Sequence, residues 1–317
     1  MRHINYLKIV QKSFHLAWKN KYLWWFGLFL ILGRSATIFF NYSKNDGSGS
    51  RQALDFVYAH MPLVLLSVIM LLIVYAVLVI LSVLGRGALI KAFGENIKGR
   101  KMNFNSAIHQ GKRYFWRLFL IGLVVSVAEA VILFVFLTPI TFFFYIKSYI
   151  AGVFVAALAV IILVPLLFLV AFLRIYGYLY AVLADLPFRE SLENAYSLFK
   201  DNIGTSAVAL LVFVAISLVL AILVGIIILP LIAIFLLLSG IFYFFLNTIG
   251  LTIVSVFGAI IVGVILFSTL SVFEVFKQAF WVLIFEEIAK SEIKQKIMEG
   301  ELVKNINTAP SPAKIIN

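Results

Sequence analysis

Six apolar stretches of roughly bilayer length set the rhythm of this chain: Tyr22 to Phe40, Met61 to Leu84, Phe115 to Thr138, Ile150 to Leu173, Thr205 to Leu229 and Leu251 to Phe273. A hydrocarbon core about 30 Å thick needs about 20 apolar residues per helix. The runs are continuous instead of alternating, which predicts helices and not barrel strands. After the fifth stretch, Pro230 is followed by a second apolar run from Leu231 to Leu246, too long for one crossing. Either Pro230 ends the helix and the remainder is re-entrant or interfacial, the reading favoured here, or there are extra spans. Leu23 to Leu32 has the form of a signal-peptide apolar region. A long amphipathic segment precedes it, however, and the run continues through Gly33 and Arg34 into Ile38, Phe39 and Phe40 without a small-x-small site, so it is expected to be a retained first span.

The composition agrees with a lipid environment. Of 317 residues, 63% are hydrophobic and 13% charged, whereas soluble chains are about half apolar and about a quarter charged. A net charge of +12 could serve nucleic acid, but the basic residues sit beside apolar spans, so no nucleic-acid partner is expected. Cytoplasmic loops retain Lys and Arg. With the N-terminus inside, all of the 26 basic residues except Arg34, Lys44, Arg51 and Lys147 fall on the cytoplasmic side. The expected location is the cell membrane, multi-pass, with both termini cytoplasmic. The outer loop Asn41 to Asp55, with Gly47, Ser48, Gly49 and Ser50, is expected to be flexible, and Asn41, Tyr42 and Ser43 form a glycosylation triplet.

The chain also carries a threefold internal pattern: an amphipathic lead-in, an outward span, a turn, and an inward span that runs on as an apolar stretch. The lead-ins are Lys12 to Trp18, Asn103 to His109 and Phe188 to Tyr196, placed in register on Ser13, Ser106 and Ser191. The exits run from Arg86 to Glu95, from Arg174 to Asp185 and from Lys277 to Glu286, each a base, a mostly apolar stretch and an acid. They are expected to lie in the membrane interface, where Tyr178, Tyr180 and Trp281 suit the depth. The predicted fold is an all-α integral membrane protein with about six transmembrane helices arranged as three helical hairpins. One domain covers residues 1–301, with repeats starting near 3, 98 and 186, and a disordered tail covers 302–317.

Ionisable groups inside spans are costly and mark candidate sites. Arg34 and Glu129 fall at nearly matched depth in the repeat register, which suggests an intramembrane pair. Arg86, Arg174, Glu274 and Lys277 mark the inner ends of the inward spans and suggest a polar ring there. Gly258 and Gly263 do not match a GxxxG register. With no cysteine and with His3, His15, His60 and His109 scattered, no metal site or cofactor is expected. There is no P-loop, HExxH, GxSxG or G-x-G-x-x-G pattern, so no catalytic residue is assigned and an enzyme is not expected.

The segment Lys12 to Gly27, the stretch Gly87 to Lys98 and above all Leu183 to Gly204 (LADLPFRESLENAYSLFKDNIG) resemble a broad bacterial group. Its members are uncharacterised polytopic proteins related to the membrane domain found beside some glycerophosphodiester phosphodiesterases. Asp185, Pro187, Ala195, Ser197 and Lys200 carry the likeness. It implies a bacterial membrane protein with a role in envelope or lipid homeostasis. The chain has no phosphodiesterase domain, so that activity is not implied. The functional expectation is a non-enzymatic membrane protein whose partners are anionic lipid headgroups at the cytoplasmic face. The alternative is a transporter or channel for a small solute or ion. A protein partner or homo-oligomer is not specified by the sequence.

Overall fold

A computed structural model of the chain describes residues 4–39, 58 and 60–308, with backbone alone at 34–39 and 290–308. Among these residues the regular structure is helical: α1 (Tyr6–Lys19), a 3-10 turn (Lys21–Leu23), α2 (Trp24–Phe39), α3 (Met61–Ile97), α4 (Phe104–Tyr145), α5 (Tyr149–Leu183), α6 (Phe188–Asp201) and α7 (Ile203–Thr308). Four stretches, in α3, α4, α5 and residues 203–289 of α7, are long and apolar enough to cross a membrane. The apolar part of α2, with the turn before it, is shorter (Lys21–Gly33). The outer loop and its triplet at Asn41 lie outside the described residues.

Local chemistry sets the boundaries. The Asn5 side chain accepts from the Lys8 N–H and caps α1. Pro62 sits in the first turn of α3, where its missing N–H costs nothing. Glu190 in the first turn of α6 and Lys200 in its last complement the helix dipole. Lys147 takes a left-handed conformation (φ 59°), which lets its N–H and that of Ser148 return to the carbonyls of Phe144 and Phe143. The chain thereby reverses, and Gly152 packs on Phe143 and Phe144.

The expectation at Pro230 is corrected. The proline sits inside α7 and the helix runs through it, so Leu231 to Leu246 is continuous helix and not a separate re-entrant or interfacial piece. The break falls instead at Asn247, the non-helical residue of α7 (φ 53°, ψ -144°). There the chain folds back: Ser239 and Ser255 share a hydroxyl hydrogen bond of 3.2 Å, and Gly258 lies against Phe235. Two arms, residues 203–246 and 248–308, therefore run antiparallel. Pro230 removes one backbone hydrogen bond without ending the helix. α7 continues to Thr308, and residues 309–317 of the expected tail lie outside the described residues.

Burial is concentrated at one end. The core comprises Leu16 and Ala17 of α1, Leu89, Ile90 and Phe93 of α3, Tyr114 and Leu118 of α4, Tyr176, Leu179 and Val182 of α5, Leu198 of α6 and Phe280, Trp281 and Ile284 of α7. By contrast, the most apolar stretch of α3 contains no buried residue, and in that of α4 17% of residues are buried. The exits from Arg86, Arg174 and Lys277 are thus the core of the packed end and do not lie along an interface. Tyr178 is 8% and Trp281 3% exposed, whereas helices lying in an interface would leave such rings facing lipid.

Each exit packs on a lead-in, and the three contacts close a ring. Gly87 of α3 meets Gly111 and Leu118 of α4. Gly177 of α5 lies against Leu192 of α6. The second arm of α7 packs on α1, where Phe276 faces Val10 and Phe14 across a groove. Small buried residues four apart permit the close approach: Ser13 and Ala17, Ala107 and Gly111, Ser191 and Ala195. A Cβ on Gly111 would stand 2.5 Å from the Leu84 carbonyl oxygen. The buried register in the second lead-in is therefore Ala107, one residue on from the expected Ser106, which is exposed. That lead-in is also not a separate helix but the first turns of α4.

Candidate functional site at the foot of the apolar arms

Between the packed end and the exposed arms lies a layer of charge. Arg86 is the first charged residue after the apolar run of α3, and Arg174 after that of α5. Glu274 is the first charge after Asp201. α4 contributes Glu129, which stands between Arg117 and Lys147 without another charge.

Arg174 Nη2 donates to Glu129 Oε2 at 2.5 Å and to Ser126 Oγ at 3.3 Å. Glu129 is therefore paired across the α4–α5 contact. The side chain of Arg34, its expected partner, lies outside the described residues, although its backbone is in α2. The two side chains of the observed pair retain 30% and 28% exposure, so the charges are partly desolvated. Removing one partner would leave the other's desolvation uncompensated, a cost that reaches several kcal/mol at full burial and is smaller here.

Arg86 lies on the face of Tyr178, its guanidinium carbon 4.6 Å from the ring centroid. The Tyr178 hydroxyl in turn fits over Gly122, where a Cβ would stand 2.7 Å from it. Tyr178 follows Arg174 by one turn of α5, and Gly122 precedes Ser126 by one turn of α4. The ring therefore ties Arg86 to the Arg174 and Glu129 pair. Arg86 Nε is buried without an acceptor, and so is Arg174 Nε. A guanidinium on an aromatic face gains about 1 kcal/mol, whereas taking an ion out of water costs several. The ring alone does not balance Arg86.

Of the expected polar ring, Lys277 Nζ pairs with Glu274 Oε1 at 3.4 Å, three residues apart on one helix face. The structure thus groups Arg86 with Arg174 through Tyr178, and Glu274 with Lys277. At the far side of the packed end, Arg113 and Arg117 of α4 hold the Asp185 carboxylate at 2.7 and 2.5 Å, and Arg117 also reaches the Asp185 and Leu186 carbonyls. Asp185 occupies a left-handed turn (φ 57°) between α5 and α6. That clamp was not foreseen. Its signal was the i, i+4 spacing of Arg113 and Arg117 near an acid followed by Pro187.

α1 divides into three stripes. Ser13, Leu16 and Ala17 are buried; Leu7, Phe14 and Trp18 form an exposed apolar stripe; Lys8, Lys12, His15 and Lys19 form a basic one. Phe14 and Trp18 stack at 5.9 Å. They border an open groove of about 480 Å³ with Val10, Ile216, Leu220 and Phe276. Among the described residues no group of three or more His, Cys, Asp or Glu could hold a metal ion.

No protein-family model matches the chain, and neither curated proteins nor solved structures give a significant match.

Proposed function

We propose that this chain is a non-enzymatic protein of the cell membrane that interacts with anionic lipid headgroups, with six crossings in three helical hairpins and both termini in the cytoplasm. The observation that carries the reading is α1, where a stripe of Lys8, Lys12 and Lys19 with no acid runs beside exposed Leu7, Phe14 and Trp18. Such a helix lies at a membrane surface with its aromatic stripe in the acyl boundary and its bases at the headgroups. Each well-placed base contributes about 1 kcal/mol toward anionic lipid.

The hairpin reading takes support from the reversals at Lys147 and Asn247 and from the ring of exits on lead-ins, which is what three copies of one unit produce when each exit seats the next lead-in. The third hairpin would be the longest. Its first arm has 44 residues, about 66 Å at about 1.5 Å each. Less the packed foot, that is enough for the bilayer with its headgroup layers, about 45 Å. A solute path would rest on a free Glu129, and Arg174 occupies that carboxylate.

The test is reconstitution in nanodiscs of phosphatidylcholine with or without phosphatidylglycerol, reading the emission and quenching of Trp18 in a variant that retains it as the sole exposed tryptophan. Enrichment of phosphatidylglycerol around α1 that weakens with salt and disappears in the Lys8, Lys12, Lys19→Gln variant is expected. Equal quenching by both lipids at all salt concentrations overturns the reading.

A further inference from the structure

The basic stripe of α1 attracts lipid diffusely; the two arginines at the foot of the arms are arranged for a single ligand. Arg86 is permanently charged and half-buried, and among the described residues no carboxylate pairs with it. Four acids are already engaged. Glu129 is held by Arg174, Asp185 by Arg113 and Arg117, Glu95 by Lys91 and Arg100, and Glu274 by Lys277. Around Tyr178 there are thus two guanidiniums and one carboxylate, with both Nε groups buried and lacking acceptors. A planar fork of donors with a missing acceptor matches the oxygens of a phosphate group, which guanidinium binds in bidentate fashion.

We propose that the arginine pair beside Tyr178, Arg86 of α3 and Arg174 of α5, binds one phosphate group, with Arg86 as its principal ligand and Arg174 as a second donor released in part from Glu129. The phosphate is that of a membrane lipid. Leu123, Val124 and Val127 on the same stretch of α4 are exposed and apolar, so the approach to the arginines runs along a surface suited to acyl chains. Tyr178 is a positioning residue: its ring holds the Arg86 guanidinium flat and its hydroxyl fits only because residue 122 is glycine. The site rests on the lipid-contacting reading above but not on α1, which allows the two to fail separately.

The experiment is native mass spectrometry of the full chain, delipidated in detergent and titrated with phosphatidylglycerol, with diacylglycerol, or with inorganic phosphate. The wild type is expected to retain one phosphatidylglycerol and no diacylglycerol. Arg86→Gln should weaken that site at least about tenfold, since loss of one charge-assisted bidentate contact is of that order. Arg86→Lys, which keeps the charge and guards against a folding defect, should weaken it less. The Lys8, Lys12, Lys19→Gln variant should leave it intact even if it abolishes diffuse enrichment. Displacement of the lipid by millimolar inorganic phosphate would assign the phosphate site to a free anion and overturn its lipid source. Equal retention by wild type and both Arg86 variants, or loss only in the lysine variant, overturns the site itself.

Discussion

Replacing Glu129 by Gln removes the carboxylate that faces Arg174 and leaves the guanidinium in place. The contact is 2.5 Å and both side chains are about 30% exposed. Two unit charges about 4 Å apart interact by about 4 kcal/mol at an effective dielectric of about 20. Residual exposure lowers this, and the expected coupling is about 1–3 kcal/mol, above the 0–1 kcal/mol typical of fully exposed pairs. A double-mutant cycle isolates the term from the packing lost in each single change. Glu129→Gln, Arg174→Gln and the double variant would be unfolded in one mixed-micelle series, the midpoint shift being read by near-UV dichroism. Each single variant should lose more than the additive share of the double. A coupling below about 0.5 kcal/mol would show that the pair contributes no more than a solvated one and that the cluster at the foot of the arms is not desolvated. The same cycle run on Arg34 and Glu129 tests the partner expected from repeat depth.

Three further outcomes follow from the packing. Gly111→Val places a Cβ against the Leu84 carbonyl and should destabilise by about 1–3 kcal/mol, whereas Gly204→Ala, with nothing within 4 Å, should not; melting in the same micelles separates them. Ser206→Ala leaves the buried Tyr176 hydroxyl without its 2.8 Å partner and should cost about 1–3 kcal/mol. Single-tryptophan variants reconstituted in brominated lipid should show strong quenching for Phe134→Trp, at a position on the arm of α4 that is 72% exposed, and little for Trp281, which is 3% exposed; equal quenching would contradict a core confined to the packed end.

Much of this architecture was readable in the sequence because apolar runs of bilayer length have few alternatives. The helices of α3, α4 and α5 start within a few residues of the expected spans or carry them in their interior. The sequence was less informative where a helix continues beyond its apolar run. The stretches after Arg86, Arg174 and Lys277 read as interfacial because their aromatics suit that depth, yet ridges of small residues such as Gly87 and Gly177 let the lead-ins cover them. Hydropathy does not distinguish a side chain facing protein from one facing lipid. Pro230 misled for a related reason: a proline is tolerated inside a membrane helix where neighbouring groups re-satisfy the freed carbonyl, and the chain leaves helical geometry only at Asn247.

The candidate site was half legible. Charges interrupting apolar runs singled out Arg86, Arg174, Glu274, Lys277 and Glu129, but their partners depend on which helices touch. The contact of Arg174 with Glu129 was not anticipated, although Arg174 lies on the helix that follows α4 after one tight turn and consecutive helices are usually neighbours; the Arg34 side chain lies outside the described residues. The exposed Ser106 shows the same limit: a register set on residue type slips by one where Ala107 performs the packing.

The account depends on apolar arms lying in lipid below a packed, basic end on the cytoplasmic side. The chain has no cysteine, so single cysteines can be introduced at Lys98, Lys112 and Lys147 and treated with a membrane-impermeant maleimide in intact cells and in inverted vesicles. The topology predicts labelling at Lys147 only from outside, and at Lys98 and Lys112 only in the inverted vesicles. Labelling of Lys98 or Lys112 in intact cells would contradict it.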